Sequence, residues 1–328
     1  MRAAVFEAIG SPLAVRDLPD PIPLDDEVLI QVARCGVCGT DLHLTEDHSA
    51  LAAPGSVLGH EYAGEVVALG RAAEGFKVGD RITALPLRAC RQCAACLTGD
   101  PVRCAGVAFQ FGGFGQFARV QTSSAVRLPQ DLSFADAALV EPLAVSLHGV
   151  RRANIQPGDS VTVLGAGPIG LGAAFWARRL GAGRITVIER IAKRRAIALH
   201  MGADAAIAPD DLEQPHSSDI VIEAVGRPGL LAKAVDHARP GGTILSLGFC
   251  MSADAFVPAA ASTKGLVMHF TTPWTKRDFE VAADVLAGGA VEPRAMLTET
   301  FALADFPTAF EALRQTTDQC KIMVDPWG

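Results

Sequence analysis

Four cysteines lie within fifteen residues, and their type and spacing are those of a metal site. They are Cys90, Cys93, Cys96 and Cys104. Four thiolates suit tetrahedral zinc, and a zinc ion with four protein ligands has no position left for a substrate, so the site would be structural. An iron–sulfur centre is the alternative, because the short spacing is shared by both chemistries. The segment lacks the aromatic and dense basic residues of a nucleic-acid-binding zinc ribbon.

A second set of residues mixes ligand types. Cys38, His60 and a carboxylate from Glu61 or Glu141 offer one thiolate, one imidazole and one carboxylate. Three such ligands leave the fourth position of zinc open to water or substrate, which is the layout of a catalytic site. Each residue alone has an ordinary structural explanation, since single cysteines and histidines commonly lie in protein cores.

A glycine-rich loop joins an apolar strand to an apolar helix. It reads Gly165-Ala166-Gly167-Pro168-Ile169-Gly170. In a dinucleotide-binding loop the first glycine makes a tight turn, the second admits a pyrophosphate and the third packs the helix on the strand. The helix N-terminus then binds the phosphates.

Glu189 ends the following strand, where a carboxylate can accept hydrogen bonds from both ribose hydroxyls and repel a 2'-phosphate. This favours NAD over NADP. Arg190 and Arg194 lie nearby, and a guanidinium beside the ribose would tolerate NADP.

These residues require two kinds of scaffold. Residues 1 to about 145 are rich in glycine, proline and short β-branched runs, which predicts a mostly β region. From Asn154 short apolar strands alternate with helical stretches, which predicts βαβ units and a parallel sheet. The first three of these segments are a strand at Ser160 to Leu164, a helix at Gly170 to Leu180 and a strand at Arg184 to Ile188. Beyond Phe270 the pattern predicts a helix, an extended segment and a second helix, at Arg277 to Leu286, Thr298 to Phe301 and Pro307 to Arg314.

Composition limits the class of protein. A chain of 328 residues that is 49% hydrophobic predicts two domains and excludes disorder. The net charge of −7 argues against a nucleic-acid partner. No apolar run approaches the roughly 20 residues of a membrane span, and no secretion signal is seen, so we expect a soluble, cytoplasmic protein without a membrane partner.

Taken together, the motifs resemble those of the zinc-dependent medium-chain alcohol dehydrogenase family. The matching stretches are Cys35 to His43, Gly59 to Gly64, Val78 to Ile82, the four-cysteine loop, Glu141 to Leu143, the glycine loop with Glu189, and Lys321 to Met323. The branch with sorbitol, threonine and secondary-alcohol dehydrogenases is the most similar. The resemblance implies an α/β protein with a GroES-like β-rich catalytic domain (1–145), a Rossmann doubly wound parallel-sheet domain (146–270) and a C-terminal return to the catalytic domain (271–328).

The resemblance also assigns roles to single residues. Cys38 and His60 match two zinc ligands, Glu141 the third, and Glu61 a carboxylate that enters the shell when water leaves. Asp41 matches the acceptor of a hydrogen bond from the ligating imidazole. Cys35 matches a core thiol, with a redox pair with Cys38 as the alternative. The remaining matches are the proton relay and the cationic cofactor contacts, which are Thr40, His43, Arg194 and Lys321.

The implied reaction is reversible hydride transfer between an alcohol and NAD, with two zinc ions per subunit. Zinc would lower the pKa of the alcohol hydroxyl, whose proton leaves through Thr40, the NAD ribose and His43. Four apolar residues near the family's substrate pocket favour an apolar or cyclic alcohol over a polyol, namely Leu44, Phe109, Phe111 and Trp274. The alternative is that the aromatic residues belong to the core or to an interface. A polyol dehydrogenase and a catalytically silent zinc- and NAD-binding protein are the alternatives. The resemblance also implies a homo-oligomer, a tetramer in preference to a dimer.

Overall fold

A computed structural model describes residues 1–46, 52–271, 274–315 and 317–328. The chain divides into two compact units. Unit 1 consists of Met1–Glu141, Thr275–Ala290 and Leu297–Gly328. Unit 2 consists of Pro142–Trp274 and Val291–Met296.

The first part of unit 1 is β-rich, as its sequence predicts. Its strands are β1 (Arg2–Phe6), β2 (Ala14–Asp17), β3 (Glu27–Gly36), β4 (Ser56–Val57), β5 (Glu61–Leu69), β6 (Arg81–Ala84), β7 (Leu87–Arg88), β8 (Ala108–Phe109), β9 (Phe117–Gln121) and β10 (Ala125–Arg127). Its helices are α1 (Gly39–Glu46), α2 (Ala94–Leu97) and α3 (Phe134–Ala137). The long strand β3 pairs antiparallel with both β5 and β9. Its side chains Val28, Ile30 and Val32 are fully buried, so this strand forms the centre of the core.

Unit 2 alternates helices and parallel strands. Its elements are α4 (Val140–Arg152, which begins in unit 1), β11 (Ser160–Leu164), α5 (Pro168–Arg179), β12 (Arg184–Ile188), α6 (Ala192–His200), β13 (Ala205–Ile207), β14 (Ser218–Glu223), α7 (Leu230–His237), β15 (Ala238–Ser246), α8 (Pro258–Lys264) and β16 (Val267–Phe270). Within the described residues these strands form one parallel sheet in the order β13-β12-β11-β14-β15-β16. This is the strand order of a Rossmann fold, in which the order reverses between β11 and β14 and ligands bind beyond the carboxyl ends of the strands.

A half-buried contact fixes the two central strands of this sheet at their amino ends. Asp219 on β14 accepts hydrogen bonds from the backbone N–H and the hydroxyl of Ser160 on β11, at 2.8 and 2.5 Å. These bonds, together with one from Arg239, lower the pKa of the Asp219 carboxyl to about 2. The carboxylate is therefore ionised and tied to both strands at neutral pH.

The C-terminal segment adds α9 (Lys276–Ala287), β17 (Leu297–Ala302), α10 (Phe306–Ala312) and β18 (Lys321–Asp325). Strand β18 pairs antiparallel with β3 and parallel with β17, so it extends the main sheet of unit 1. Within the ranges described, none of the helices has both the length and the apolar character needed to cross a membrane.

Candidate functional site

Strand pairing in unit 1 brings together residues that are far apart in sequence. Gly36 at the end of β3 lies opposite Glu61 at the start of β5. Cys38 follows β3 and His60 precedes β5, so the same register places these two side chains side by side. One ligand atom from each of Cys38, His60 and Glu61 lies within 4.8 Å of the others. The thiol, imidazole and carboxylate predicted from the sequence therefore meet in one place.

Asp41 organises this cluster from the first turn of α1. The side chain is fully buried, and Oδ2 accepts a hydrogen bond from the backbone N–H of Cys38 at 2.9 Å. Oδ1 accepts one from the backbone N–H of Gly59 at 3.2 Å and lies 3.3 Å from Nδ1 of His60. The resemblance implies the contact with His60. The two backbone contacts fix the main chain at Cys38 itself and at Gly59, which precedes His60. No sequence motif marks them.

The electrostatics of the cluster attract a cation. Burial opposes a charge on His60, but the nearby Asp41 carboxylate and Cys38 sulfur hold the pKa of this imidazole well above its usual range. A site that stabilises a proton between these groups also stabilises a metal ion there. Sulfur, nitrogen and carboxylate oxygen are the donors that zinc takes in catalytic sites, so this chain's residues fit zinc.

Two further groups predicted from the sequence lie beside the cluster. Glu141 is buried in the first turn of α4, and its charge helps to raise the pKa of Lys321. Lys321 on β18 is buried, and its ammonium group contacts Glu61 and the carbonyl oxygen of Val37. Burial alone would lower the pKa of Lys321, but the adjacent Glu61 raises it, so the ammonium is charged. A contact of Lys321 with the cofactor stays a prediction.

The two relay residues lie on α1. The hydroxyl oxygen of Thr40 is 3.5 Å from Sγ of Cys38, and Thr40 is half-buried. His43 lies about one turn further along the helix and is exposed to solvent. This is the order, from ligand to solvent, that a proton relay requires.

Cys35 is a buried core thiol. The side chain is fully buried, and its thiol donates to the carbonyl oxygen of Gly36 at 3.4 Å. Burial raises the pKa of this thiol well above its usual range, with the charges of Asp41 and Glu61 adding to the effect. A thiol with these properties is unreactive, which favours the core interpretation over a redox pair.

The four-cysteine loop folds around α2 into a compact cluster. One sulfur atom from each of the four cysteines lies within 4.8 Å of the others. The sulfurs of Cys93 and Cys96 are 3.5 Å apart and those of Cys90 and Cys96 are 4.0 Å apart. Tetrahedral zinc with Zn–S bonds of about 2.3 Å requires sulfur separations of roughly 3.8 Å, so the loop fits the ion.

The thiols of this loop differ in acidity. The backbone N–H of Cys96, together with the Cys96 thiol, lowers the pKa of Cys93 to about 6. Burial and the neighbouring Cys93 raise the pKa of Cys96 to about 12. Without a cation the thiols therefore cannot all be ionised at neutral pH.

In unit 2 the glycine loop has the geometry of a phosphate cradle. Gly165 has a φ of +95°, and a Cβ at Gly170 would overlap the carbonyl oxygen of Gly165. A Cβ at Gly167 would meet no atom within 4 Å, so the backbone there faces open space. Pro168 and Ile169 begin α5, whose first turn presents backbone N–H groups to that space. The loop thus fits the pyrophosphate of a dinucleotide.

Glu189 lies directly beside this loop. Its Oε2 accepts a hydrogen bond from the backbone N–H of Ala166 at 2.8 Å, and Oε1 accepts one from the backbone N–H of Ile191 at 2.9 Å. Arg190 is exposed and Arg194 is half-buried. Sequence reasoning did not single out Arg195, whose guanidinium donates to the carbonyl oxygens of Glu189 and Arg190.

A second strand-end carboxylate was also missed. Glu223 ends β14, is only 2% exposed, and its Oε1 accepts hydrogen bonds from the backbone N–H groups of Val225 and Gly226 at 2.7 and 2.8 Å. Val225 in turn lies against Gly165, because a Cβ on Gly165 would come within 2.6 Å of it. The available signal was that Glu223, like Glu189, is an acid at the carboxyl end of its strand, although the strand register sets Glu223 level with Ile188.

Comparison with known proteins agrees with this geometry. Residues 24–130 match the family described as alcohol dehydrogenase GroES-like domain, and residues 168–287 match the family described as zinc-binding dehydrogenase. Sorbitol dehydrogenase of Bacillus subtilis (strain 168) is 31% identical over 99% of this chain and 97% of its own length. The chain belongs to the zinc-binding alcohol dehydrogenase family.

Solved structures of dehydrogenases share the complete fold. One from Sinorhizobium meliloti 1021, assigned as a zinc-binding dehydrogenase and bound to NADP, is 30% identical with a TM-score of 0.90 and covers 99% of both chains. One from Escherichia coli CFT073, described as a short chain alcohol dehydrogenase complexed with cofactor NADH, is 26% identical with a TM-score of 0.89 and also covers 99% of both chains. The predicted family and fold class, a GroES-like domain with a Rossmann domain, are confirmed.

Proposed function

We propose that this dehydrogenase interconverts apolar or cyclic secondary alcohols and their ketones, with NAD as the hydride acceptor. The observation that carries the reaction class is the cluster of Cys38, His60 and Glu61 at the start of β5, one ligand atom from each within 4.8 Å of the others. Grouped around the buried Asp41, these residues would hold a zinc ion, and a set of three protein ligands would leave a position for the substrate. The silent-protein alternative is disfavoured because the relay residues Thr40 and His43 are also in place.

An aromatic pair beside the cluster supports an apolar substrate. The ring of Phe111 packs edge-on to His60 with centroids 6.1 Å apart, and Phe109 stacks on Phe111 at 5.6 Å. Phe109 is 42% exposed, so the pair forms an apolar surface from solvent toward the zinc ligand. Leu44 and Trp274, the other two candidates, are buried and pack as core residues.

The residues of the chain have separable tasks in the reaction. Bound zinc supplies a Lewis acid that lowers the pKa of the substrate hydroxyl, and bound NAD supplies the hydride acceptor. Asp41 fixes the backbone beside both Cys38 and His60. Thr40 takes the substrate proton at Oγ1, and His43 delivers it to solvent. The loop from Gly165 to Gly170 and the carboxylate of Glu189 hold the cofactor.

A polyol substrate is the second candidate, because the Bacillus subtilis relative that spans the whole chain is a sorbitol dehydrogenase. Measuring kcat/KM by NADH absorbance with cyclohexanol, secondary butanol, sorbitol and xylitol decides between the two. We expect the apolar alcohols to be favoured and Phe109→Ala to reduce that preference. Phe249→Ala, at an exposed aromatic residue of unit 2, is the matched control. A preference for sorbitol that Phe109→Ala leaves unchanged would contradict the apolar assignment.

We also propose a cytoplasmic homo-oligomer, a tetramer rather than a dimer. All eight cysteines lie in the described residues as thiols rather than disulfides, which suits a reducing compartment. In the described part of unit 2, β16 is the last strand of its sheet, and Val267 and Phe270 on it are 50% and 69% exposed. Uncovered apolar edge strands invite pairing with another chain. Light scattering of the purified protein measures the subunit number.

A further inference from the structure

Arg314 has a guanidinium group whose five N–H donors are all used, and three of its contacts are with α1. It lies two residues beyond α10, and its side chain is 18% exposed. Nη1 donates to Oε1 of Glu46 at 2.7 Å and to the carbonyl oxygen of Leu42 at 3.4 Å, and Nη2 donates to Oγ1 of Thr45 at 2.8 Å. The other two donors, on Nε and Nη2, bind the carboxylate of Glu311. Arg314 therefore joins the C-terminal segment to the last turn of a helix near the start of the chain.

Helix α1 is short and depends on contacts with the rest of unit 1. It has eight residues, and a helix of this length is marginal in water without tertiary support. Its buried side chains are Asp41, Leu44 and Thr45, of which one is apolar. Asp41 fixes the first turn by accepting the backbone N–H groups of Cys38 and Gly59. At the last turn a cation is favourable, because it opposes the negative end of the helix dipole and binds carbonyls that lack helical partners.

The contacts of Arg314 lie next to a proposed relay residue. Leu42 immediately precedes His43. Oγ1 of Thr45, which accepts from Arg314, itself donates to the carbonyl oxygen of Leu42 at 2.8 Å, so the guanidinium and this hydroxyl bind the same carbonyl. If the last turn unwound, the backbone at His43 would leave its helical position relative to Thr40. Misplacing a reacting group by about 1 Å can lower a rate about 100-fold.

We propose that Arg314 is a positioning residue that keeps the last turn of α1 helical and thereby holds His43 in place to pass the substrate proton from Thr40 to solvent. The proposal rests on the proposed function, because it assumes that these two residues form the relay. It assigns to the C-terminal segment a part in proton transfer. Arg314 itself touches neither substrate nor cofactor in this role.

Hydrogen exchange of the full-length protein, followed by mass spectrometry, tests whether Arg314 holds the helix. Peptides that cover Gly39 to Glu46 report the backbone amides of α1, which exchange faster when the helix opens locally. We expect Arg314→Gln to speed exchange in these peptides about fivefold or more and to leave the peptides of unit 2 unchanged. Arg277→Gln is the matched control, because this arginine of unit 1 pairs with Glu280 on its own helix, α9.

A double-variant cycle tests whether the contact acts through the relay. In the otherwise wild-type protein, Arg314→Gln should lower kcat for alcohol oxidation about tenfold, a part of the relay's contribution, with the KM for NAD and the zinc content unchanged. In the His43→Gln protein the same substitution should change kcat less than about twofold, because the imidazole that it would misplace is absent. A purely structural role would lower kcat by the same factor in both proteins.

Thr45→Val covers the case in which Arg314→Gln does not fold. It removes the hydroxyl that Arg314 contacts and keeps the shape of the side chain, so kcat should fall with the same dependence on His43. Equal factors with and without His43, or unchanged exchange in α1, would overturn the proposal. A wild type that oxidises no alcohol, although Arg314→Gln speeds exchange in α1, would contradict the proposed function and the relay, while the hold of Arg314 on α1 would stand.

Discussion

The carboxylate of Glu189 accepts a hydrogen bond from the backbone N–H of Ala166, 2.8 Å away in the middle of the glycine loop. The residue expected to bind the cofactor ribose thus also braces the loop that receives the phosphates. Sequence patterns predict the first role from the position of Glu189 after β12. They do not predict the second, because it depends on how closely the strand end approaches the loop.

Glu189→Gln should therefore damage cofactor binding in two ways. Both oxygens of Glu189 accept backbone N–H groups, and the amide nitrogen of glutamine would face one of those donors. We expect the wild type to prefer NAD over NADP by at least tenfold in kcat/KM, or about 1.4 kcal/mol. The variant should lose both activity with NAD and most of the preference. Glu213→Gln, at an exposed acid of unit 2, is the control, and a wild type that prefers NADP would refute the assignment.

The two metal sites should respond differently to removal of one thiolate. Cys93→Ser should lower Tm by about 5 °C or more, the shift produced by a loss of roughly 2 kcal/mol in a domain of this size. Cys38→Ser should abolish turnover with a smaller change in Tm. Zinc analysis should give two ions per wild-type subunit and one in each variant. Equal losses of stability in both variants would remove the distinction between a structural and a catalytic site.

The proposed proton relay predicts how strongly substitutions at different residues of α1 slow alcohol oxidation. Thr40→Ala removes the hydroxyl that lies 3.5 Å from Cys38 and should slow alcohol oxidation more than His43→Gln does. Proton transfer by a side chain typically contributes about 10²- to 10⁴-fold, and His43 should be at the low end because it is exposed and water can replace it. Thr40→Ser should be mild. Full activity in Thr40→Ala, with zinc and NAD bound, would show that the proton leaves by another path.

A histidine pair in unit 2 should make stability depend on pH. His237 is 7% exposed, and its Nδ1 accepts a hydrogen bond from the backbone N–H of His216 at 2.9 Å. Burial lowers the pKa of His237, as does the neighbouring His216. The unfolded chain therefore binds a proton at His237 more readily than the folded chain does. The stability that neutral His237 contributes is present above the unfolded pKa of about 6.5 and is lost as pH falls below it.

Urea unfolding between pH 5 and 8 measures this effect, and His237→Gln should flatten the profile relative to the wild type. The difference in slope between the two proteins is at most about 1.4 kcal/mol per pH unit for one proton. His200→Gln, at an exposed histidine of the same unit, should leave the profile unchanged. Identical slopes in the wild type and His237→Gln would show that His237 does not cause the dependence.

Sequence reasoning succeeded for features that are set by residues close together in the chain. β11 and β12 have the bounds that the apolar runs predict, because a strand of a parallel sheet is set by its own residues and the turns that bound it. Helix α5 begins two residues before the predicted Gly170 because Pro168 occupies its first turn, where proline is favourable. The four-cysteine site was visible because its ligands are close in sequence.

Contacts between residues far apart in the chain could not be predicted from local patterns. Lys321 and Glu61 are separated by 260 residues, and no local pattern states that β18 returns beside β3 with its lysine facing a carboxylate. The resemblance assigned Lys321 to the cofactor, whereas its contacts in unit 1 are with Glu61 and Val37. The backbone N–H groups that Asp41 binds could not be predicted either. A backbone N–H is present in every residue type except proline, so the sequence does not mark which one donates.

The return of β18 to β3 also sets an order of events during synthesis. Glu61 leaves the ribosome 260 residues before Lys321, which corresponds to roughly 10 to 50 s at about 5–20 residues per second. Most of unit 2 is made within that interval and has time to form its sheet from strands of its own. The sheet of unit 1 meanwhile has β3 without its neighbour β18 and a buried carboxylate without its cation. The nascent enzyme should therefore depend most on chaperones in its first half, although that half is translated first.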